Sequence, residues 1–188
     1  MASDHAPAYV PGFEHDVFIS YARVDDTPEF GPLGWVSTFV DLLQKRLARL
    51  LGRPDCFSLW MDRSQLNGAS LLTPGLEQPL KATAVMVAFL STGYLESSWC
   101  PRERKVFLDT IGTEAGDCAR IFVVEMDPQD PERLPKEFID RLRYKFWDLK
   151  PGDKYPRRLG EPGTGPDPNA TAIEAAATSR TLLGRGPT

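Results

Sequence analysis

The sequence has no excess of basic residues, which excludes a dedicated nucleic-acid binder. Lys and Arg total 22 against 26 Asp and Glu in 188 residues, so the formal net charge is −4. A protein that replaces phosphate counterions needs a basic face, which this balance does not supply. The hydrophobic share of 41% and the charged share of 26% are ordinary for a globular protein.

Long apolar runs are also lacking. The longest nearly apolar run, residues 82–90, has about half of the ~20 residues that a membrane-spanning helix needs. The N-terminus has neither the basic nor the apolar region of a secretory signal. The three cysteines are odd in number and form no CxxC pair, so we expect neither a disulfide framework nor a zinc site. We therefore predict a cytoplasmic protein with no membrane partner.

Several motifs of catalysis are missing. The sequence contains no phosphate-binding GxxxxGK[ST] loop, no GxSxG nucleophile motif and no cluster with metal-ligand spacing. We accordingly expect no metal and no cofactor. Asp25 and Asp26 follow the first predicted strand, and we interpret them as a solvated turn rather than an acidic pocket.

Composition divides the chain into three parts. Residues 1–13 are short and polar and read as a flexible arm, and residues 14–150 carry the apolar periodicity of a folded domain. Residues 151–188 hold six Pro and six Gly and only one aromatic residue, Tyr155. So little apolar area does not offset the entropy of ordering. We predict a tail there, or a linker to a further sensor domain.

Strand and helix patterns alternate through residues 14–150. Apolar runs of strand length alternate with segments whose apolar residues recur at spacings of three and four. Strands that are apolar on both faces need helices on both faces, so we predict an α/β fold with a five-stranded parallel sheet of order 2-1-3-4-5. The predicted strands are Asp16–Tyr21, Cys56–Met61, Ala84–Leu90, Arg120–Met126 and Tyr144–Leu149, and the predicted helices are Trp35–Leu51, one from about Pro74, Trp99–Ile111 and Leu134–Arg141.

Ligands of such sheets bind beyond the carboxyl ends of the strands, near the point where strand order reverses. The loops after Tyr21, Met61 and Leu90 meet there. Ser97 or Ser98 is a natural cap for the helix that follows, and Trp99 and Glu103 are four residues apart on one helical face. An aromatic ring beside a carboxylate suits a flat, cationic substrate. From the pattern alone, core packing of Trp99 and pairing of Glu103 in solvent remain open alternatives.

Taken in order, these segments resemble the Toll/interleukin-1 receptor (TIR) domain family. Asp16-Val-Phe-Ile-Ser-Tyr-Ala-Arg23 is similar to its first box, and Trp60-Met61-Asp62 with Leu66 and Gly68 is similar to its second strand and BB loop. Ser97-Ser98-Trp99-Cys100-x-x-Glu103 resembles the Trp-Cys-x-x-Glu motif of bacterial members, and Phe146-Trp147 resembles the last strand.

The resemblance implies an NAD⁺ glycohydrolase that releases nicotinamide and acts in bacterial antiphage defence or signalling. NAD⁺ is then the substrate, and the product is ADP-ribose or its cyclic isomer. Glu103 is implied as the catalytic residue. Substrate-binding positions are implied at Tyr21, Ala22, Arg23, Asp62, Ser91 and Trp99, and the assembly loop is implied at Leu66, Asn67 and Gly68.

The family also contains non-catalytic scaffolds, and these supply the alternative function. Both modes imply self-association between TIR domains, which in a head-to-tail arrangement extends to filaments. Glu103 at four residues after Trp99 favours the enzyme. The chemistry agrees, because nicotinamide leaves NAD⁺ as a neutral molecule and needs no general acid, whereas ordinary glycosides require two carboxylates.

Overall fold

The structure is a computed structural model, and it describes residues 8–28, 32–53, 57–61, 74–111, 120–139 and 141–159. One parallel sheet has the strand order β2-β1-β3-β4-β5, as predicted. Its strands are β1 (His15–Ser20), β2 (Leu59–Met61), β3 (Thr83–Leu90), β4 (Ile121–Glu125) and β5 (Arg143–Lys145).

Helices cover both faces of this sheet, which confirms the predicted fold class. They are α1 (Trp35–Leu51), α2 (Pro74–Lys81), α3 (Thr92–Glu96), α4 (Cys100–Ile111) and α5 (Lys136–Ile139). Single 3₁₀ turns occupy Arg23–Asp26 and Pro131–Arg133. None of the helices in the described ranges has the length and apolarity needed to cross a membrane.

The alternation of strand side chains produces two separate cores. On one face Val17, Ile19 and Val87 belong to a buried cluster with the apolar side of α1. On the other face Phe18 and Met86 belong to a cluster with residues of α2, α3, α4 and α5. Successive residues of a strand point to opposite faces, so strands that are apolar throughout serve both cores at once.

Helix α1 has the bounds that its periodicity predicts. It ends at Gly52, which adopts the left-handed conformation (φ 67°) and donates its N–H to carbonyls of the last turn. Leu50 continues the apolar spacing of three and four along this helix, yet it is 58% exposed. It lies in the last turn of α1, beyond the buried Leu47.

The predicted fifth strand, Tyr144–Leu149, was wrong in its extent. The sheet strand β5 ends at Lys145, and the chain then forms a separate antiparallel pair of β6 (Trp147–Asp148) and β7 (Arg157–Arg158). Gly152 has a positive φ of 96° in the turn between these two strands. Pro151 and Gly152, two of the residues that indicated a tail, therefore lie in the turn of a hairpin, and the described contacts continue to Leu159.

Candidate functional site

The carboxyl ends of the strands converge as the topology predicts. Ser20 ends β1 and pairs in register with Ala88, and Leu90 at the end of β3 pairs with Glu125 at the end of β4. Helix α4 begins beside this edge. The Ser97 hydroxyl accepts hydrogen bonds from the backbone N–H groups of Trp99 and Cys100, which confirms the predicted cap. Glu103 lies in the first turn of α4.

Glu103 is anchored to the end of β1. The Ser20 hydroxyl donates a 2.7 Å hydrogen bond to Oε2 of Glu103, and both side chains are buried. The helical spacing places Glu103 on the same side of α4 as Cys100 and Phe107, both of which are 0% exposed. This is the side that packs on the sheet. Glu103 is only 2% exposed, so the alternative that it pairs in solvent is wrong.

Two further buried groups surround this carboxylate. Burial raises the pKa of the Cys100 thiol to about 12, and the charge of Glu103 acts in the same direction. Burial also raises the pKa of Tyr94, whose hydroxyl lies near Ser20, Cys100 and Glu103. In the described part of the chain, this hydroxyl has no hydrogen-bond partner of good geometry. The thiol and the phenol beside the carboxylate therefore both stay neutral at physiological pH.

Trp99 flanks the carboxylate on the outside. Its carbonyl accepts the backbone N–H of Glu103 at 3.0 Å, and its ring is half-buried against the core cluster of α4. The Arg102 guanidinium lies 5.6 Å from the ring centroid, within range for a cation–π interaction. The structure thus brings Trp99 and Glu103 together at the start of one helix, with only the ring partly open to solvent.

Asp25 and Asp26 do not form a solvated turn, contrary to the sequence-based interpretation. Asp25 is 6% exposed and accepts a 2.5 Å hydrogen bond from the Ser91 hydroxyl. Asp26 accepts bonds of 2.7 Å from the backbone N–H and the hydroxyl of Ser37 in the first turn of α1. Burial raises the pKa of Asp25, while Ser91 and the charge of Arg158 oppose that shift. Both carboxylates hold neighbouring helices in place.

The other predicted binding positions on the first loop lie at the same edge. Tyr21 is half-buried, Ala22 is buried and Arg23 is exposed at the start of the 3₁₀ turn. Ser91 is buried, and its hydroxyl caps α3 by accepting the Tyr94 N–H at 2.9 Å. Four further predicted positions, Asp62, Leu66, Asn67 and Gly68, fall outside the described residues.

Three contributors to this edge were not predicted. Helix α3 was missed, although Ser91 three residues before Tyr94 is the signal of a capped turn. Ser20 was read only as part of a strand. Arg158 was assigned to the tail, yet its guanidinium binds Asp127 by bonds of 3.0 and 2.7 Å and approaches Asp25 at 3.3 Å. The described residues contain no group of three or more His, Cys, Asp or Glu side chains that is arranged to hold a metal ion.

A protein-family model described as the TIR domain matches residues 17–161. The chain belongs to the TIR domain family. The match runs through the hairpin that carries Arg158 and stops shortly after Leu159, in agreement with the packed unit seen in the structure. No relative is detected by sequence among curated proteins.

Among solved structures, the chain is similar in fold to proteins that contain TIR domains. A metazoan TIR-STING receptor from C. gigas, solved with 2′,3′-cGAMP, has a TM-score of 0.52 at 13% identity, over 75% of this chain and 38% of that chain. The TIR domain of the Toll-related receptor TRR-2 from Hydra magnipapillata has a TM-score of 0.46 at 11% identity, over 70% and 84%. The TIR domains of the activated Roq1 resistosome give 0.39 at 21% identity, over 63% and 60%.

Proposed function

We propose that this TIR domain cleaves NAD⁺ at the bond between nicotinamide and ribose, with Glu103 as the catalytic residue. The observation that carries the proposal is the position of the Glu103 carboxylate. It lies in the first turn of α4 at the carboxyl edge of the sheet, it is held by Ser20, and it is next to Trp99. This edge is where ligands of parallel α/β sheets bind.

A single carboxylate is sufficient for this reaction. The pyridinium ring leaves as neutral nicotinamide, so no acid has to protonate it. The positive charge that develops on the ribose is stabilised by a fixed negative group. Two other buried carboxylates at this edge are paired with arginines: Asp25 with Arg158, and Glu125 with Arg143. The place of Glu103 beside Trp99 at the start of α4 favours it for that role. The attacking group is water for ADP-ribose, or a second position of the same nucleotide for the cyclic product.

The neighbouring residues have definable roles in this proposal. The half-buried ring of Trp99 stacks on an aromatic ring of the dinucleotide, after Arg102 moves off its face. Tyr21, Ala22 and Arg23 line the side of the nicotinamide and ribose, and Ser91 fixes the adjoining helix. Asp62 and its loop follow β2 in the chain and lie outside the described residues; in this proposal they contribute to the same site.

The burial of Glu103 has a direct consequence for activity. A carboxylate that is 2% exposed does not contact a dinucleotide without a rearrangement of its surroundings. The proposal therefore includes a low basal rate, which rises when self-association opens and completes the site. Head-to-tail packing of TIR domains supplies such a trigger.

The same burial favours a second candidate function, a non-catalytic scaffold that works through association between TIR domains. In that case the bond between Ser20 and Glu103 only fixes α4 to β1. Release of nicotinamide from NAD⁺ by concentrated protein separates the two functions. No release at any concentration, with association intact, would establish the scaffold.

The decisive variant is Glu103→Gln. It keeps the shape of the side chain and an oxygen that accepts from Ser20, so we expect a stability change of about 1 kcal/mol. Nicotinamide release should fall by roughly 100-fold or more, the scale for one preorganised electrostatic group. Glu103→Ala leaves the buried Ser20 hydroxyl unpaired and should cost about 1–3 kcal/mol in addition to activity. Asp109→Asn, on an exposed position of α4, is the matched control and should change neither.

A further inference from the structure

The hairpin of β6 and β7 is joined to the loops at the carboxyl edge by one guanidinium. Nε and Nη2 of Arg158 bind the two carboxylate oxygens of Asp127, after β4, at 3.0 and 2.7 Å. The same Nη2 lies 3.3 Å from Oδ1 of Asp25, after β1. Only 26% of the Arg158 side chain and 4% of the Asp25 side chain are exposed. Two parallel bonds to one carboxylate fix a guanidinium in orientation as well as in position.

Asp25 links Arg158 to the loop after β3 through a second hydrogen bond. Its other oxygen, Oδ2, accepts the Ser91 hydroxyl, and the oxygen of that hydroxyl accepts the backbone N–H of Tyr94 in α3. Helix α3 also packs tightly on the 3₁₀ turn that carries Asp25. A Cβ at Gly93 would lie 2.6 Å from a methyl of Val24 and 3.4 Å from Oδ2 of Asp25.

Helix α3 in turn borders the Glu103 carboxylate. Its Tyr94 side chain is 1% exposed, and its hydroxyl lies within interaction range of Ser20 and Glu103. A displacement of α3 therefore changes the packing around the pair formed by Ser20 and Glu103. The end of β7 is held separately, because the carbonyl of Leu159 accepts the Trp35 indole N–H at 2.9 Å and its N–H donates to the Phe146 carbonyl at 2.8 Å.

We propose that Arg158 is a positioning residue for the site: it acts through Asp25 and Ser91 to hold α3, and with it Tyr94, against Glu103. The expected effect on kcat rests on the proposed NAD⁺ cleavage, whereas the claim that Arg158 holds α3 in place does not depend on it. Because Arg158 is on the last described strand, whatever moves the β6–β7 hairpin also acts on the site through this residue.

Arg158→Gln is the test, and Arg157→Gln is its matched control. Arg157 is the preceding residue of the same strand, and its side chain is 56% exposed and pairs with the nearby Asp153. Loss of the guanidinium leaves the Asp25 carboxylate buried without its counter-charge. In the chain of 188 residues, we expect Arg158→Gln to accelerate amide hydrogen exchange at Tyr94 and Leu95, whose N–H groups bond to Ser91. Arg157→Gln should leave that exchange unchanged.

Kinetic measurements on the same variant distinguish a positioning role of Arg158 from a merely structural one. Nicotinamide release should show a kcat lowered by roughly 10-fold to 100-fold with KM unchanged, since a small misplacement near the reacting groups has that scale. Asp25→Asn removes the unpaired charge, so the double variant Arg158→Gln/Asp25→Asn should be less impaired than the sum of the single changes predicts.

Three outcomes overturn the inference. Unchanged exchange at Tyr94 and Leu95 in Arg158→Gln shows that Arg158 does not hold α3. Acceleration spread evenly over the sheet, with a lowered melting temperature, shows global destabilisation instead. Local acceleration with an unchanged kcat removes the positioning role. If wild-type protein releases no nicotinamide at all, the proposed function fails. Amide hydrogen exchange at Tyr94 and Leu95 then still tests whether Arg158 holds α3 in place.

Discussion

The Ser20 hydroxyl donates a 2.7 Å hydrogen bond to Oε2 of Glu103, and the two residues are 83 positions apart in the chain. Ser20 is the last residue of β1, and Glu103 is in the first turn of α4. This single bond therefore ties the helix that carries the proposed catalytic group to the central part of the sheet. Hydrogen bonds to a charged group are stronger than those between neutral partners.

Ser20→Ala tests what this bond contributes to activity. We expect nicotinamide release to fall by about tenfold, because the carboxylate loses one of the groups that orient it. The loss should appear in kcat with KM unchanged, because the Ser20 hydroxyl contacts the carboxylate and is itself buried. Both quantities are obtained from initial rates over a range of NAD⁺ concentrations.

Ser58→Ala is the control for this experiment. Ser58 is also buried, and its hydroxyl bonds to His15 at the opposite end of the sheet. The variant loses a buried hydroxyl without touching Glu103, so its kcat should match that of the wild type. An unchanged kcat in Ser20→Ala, with stability lowered as in Ser58→Ala, would show that the Ser20 bond is only structural.

The sheet and its order were predictable because parallel strands buried on both faces leave a periodic and continuous apolar pattern. Thr83–Leu90 is buried along its whole length, and such a strand has no other stable arrangement than between two layers of helices. That Trp99 and Glu103 share a helical face was equally predictable from the sequence, since residues four apart in an α-helix lie on the same side. These features are local in sequence or repeat at a fixed period.

The rest of the site depends on contacts between distant parts of the chain, which a local pattern does not contain. Asp25 looks like a turn residue until Ser91 and Arg158 are placed beside it, 66 and 133 positions away. The burial of Glu103 likewise follows from how α4 packs on the sheet. The hairpin after residue 150 was read as a tail because its Pro and Gly residues suit a turn and a linker equally well.

Truncation tests whether the hairpin belongs to the folded unit. A chain that ends at residue 150 loses Arg158 and Leu159, and so leaves Asp25 without its guanidinium and Trp35 without its acceptor. We expect the melting temperature to drop by roughly 5 °C or more relative to a chain that ends at residue 161. The chain of 161 residues should melt close to the full-length protein. Equal melting temperatures for the two truncated chains would contradict the role of the hairpin.

The raised pKa of the Cys100 thiol predicts that the protein becomes less stable at alkaline pH. Burial raises the pKa of its thiol from 9.0 to about 12 in the folded protein. Above about pH 9 the unfolded chain loses this proton while the folded chain retains it, so alkaline pH favours unfolding by about 1.4 kcal/mol per pH unit from this group. Below pH 9 the group contributes no pH dependence.

Urea unfolding of wild type and Cys100→Ala between pH 8 and 10.5 measures this contribution. Other groups that titrate in this range are common to both proteins, so the difference between their unfolding free energies isolates Cys100. We expect the advantage of the wild type to shrink as the pH rises above 9. A difference that stays constant across the range would show that the thiol ionises as easily in the folded protein as in the unfolded chain.

Self-association provides the remaining prediction, because Glu103 is too buried in the single domain to meet a dinucleotide. Nicotinamide release per molecule should rise with protein concentration, crowding or fusion to an oligomerising partner. The segment proposed to pack between neighbouring domains, with Leu66 and Gly68, falls outside the described residues. Leu66→Ala removes an apolar contact, and Gly68→Ala restricts the backbone if that residue has a positive φ. Both variants should weaken the rise and leave the melting temperature near that of the wild type. Light scattering followed in the same samples relates activity to association. Clear association with a flat activity curve would refute activation by assembly, because a site completed by its neighbours has to gain activity as those neighbours bind.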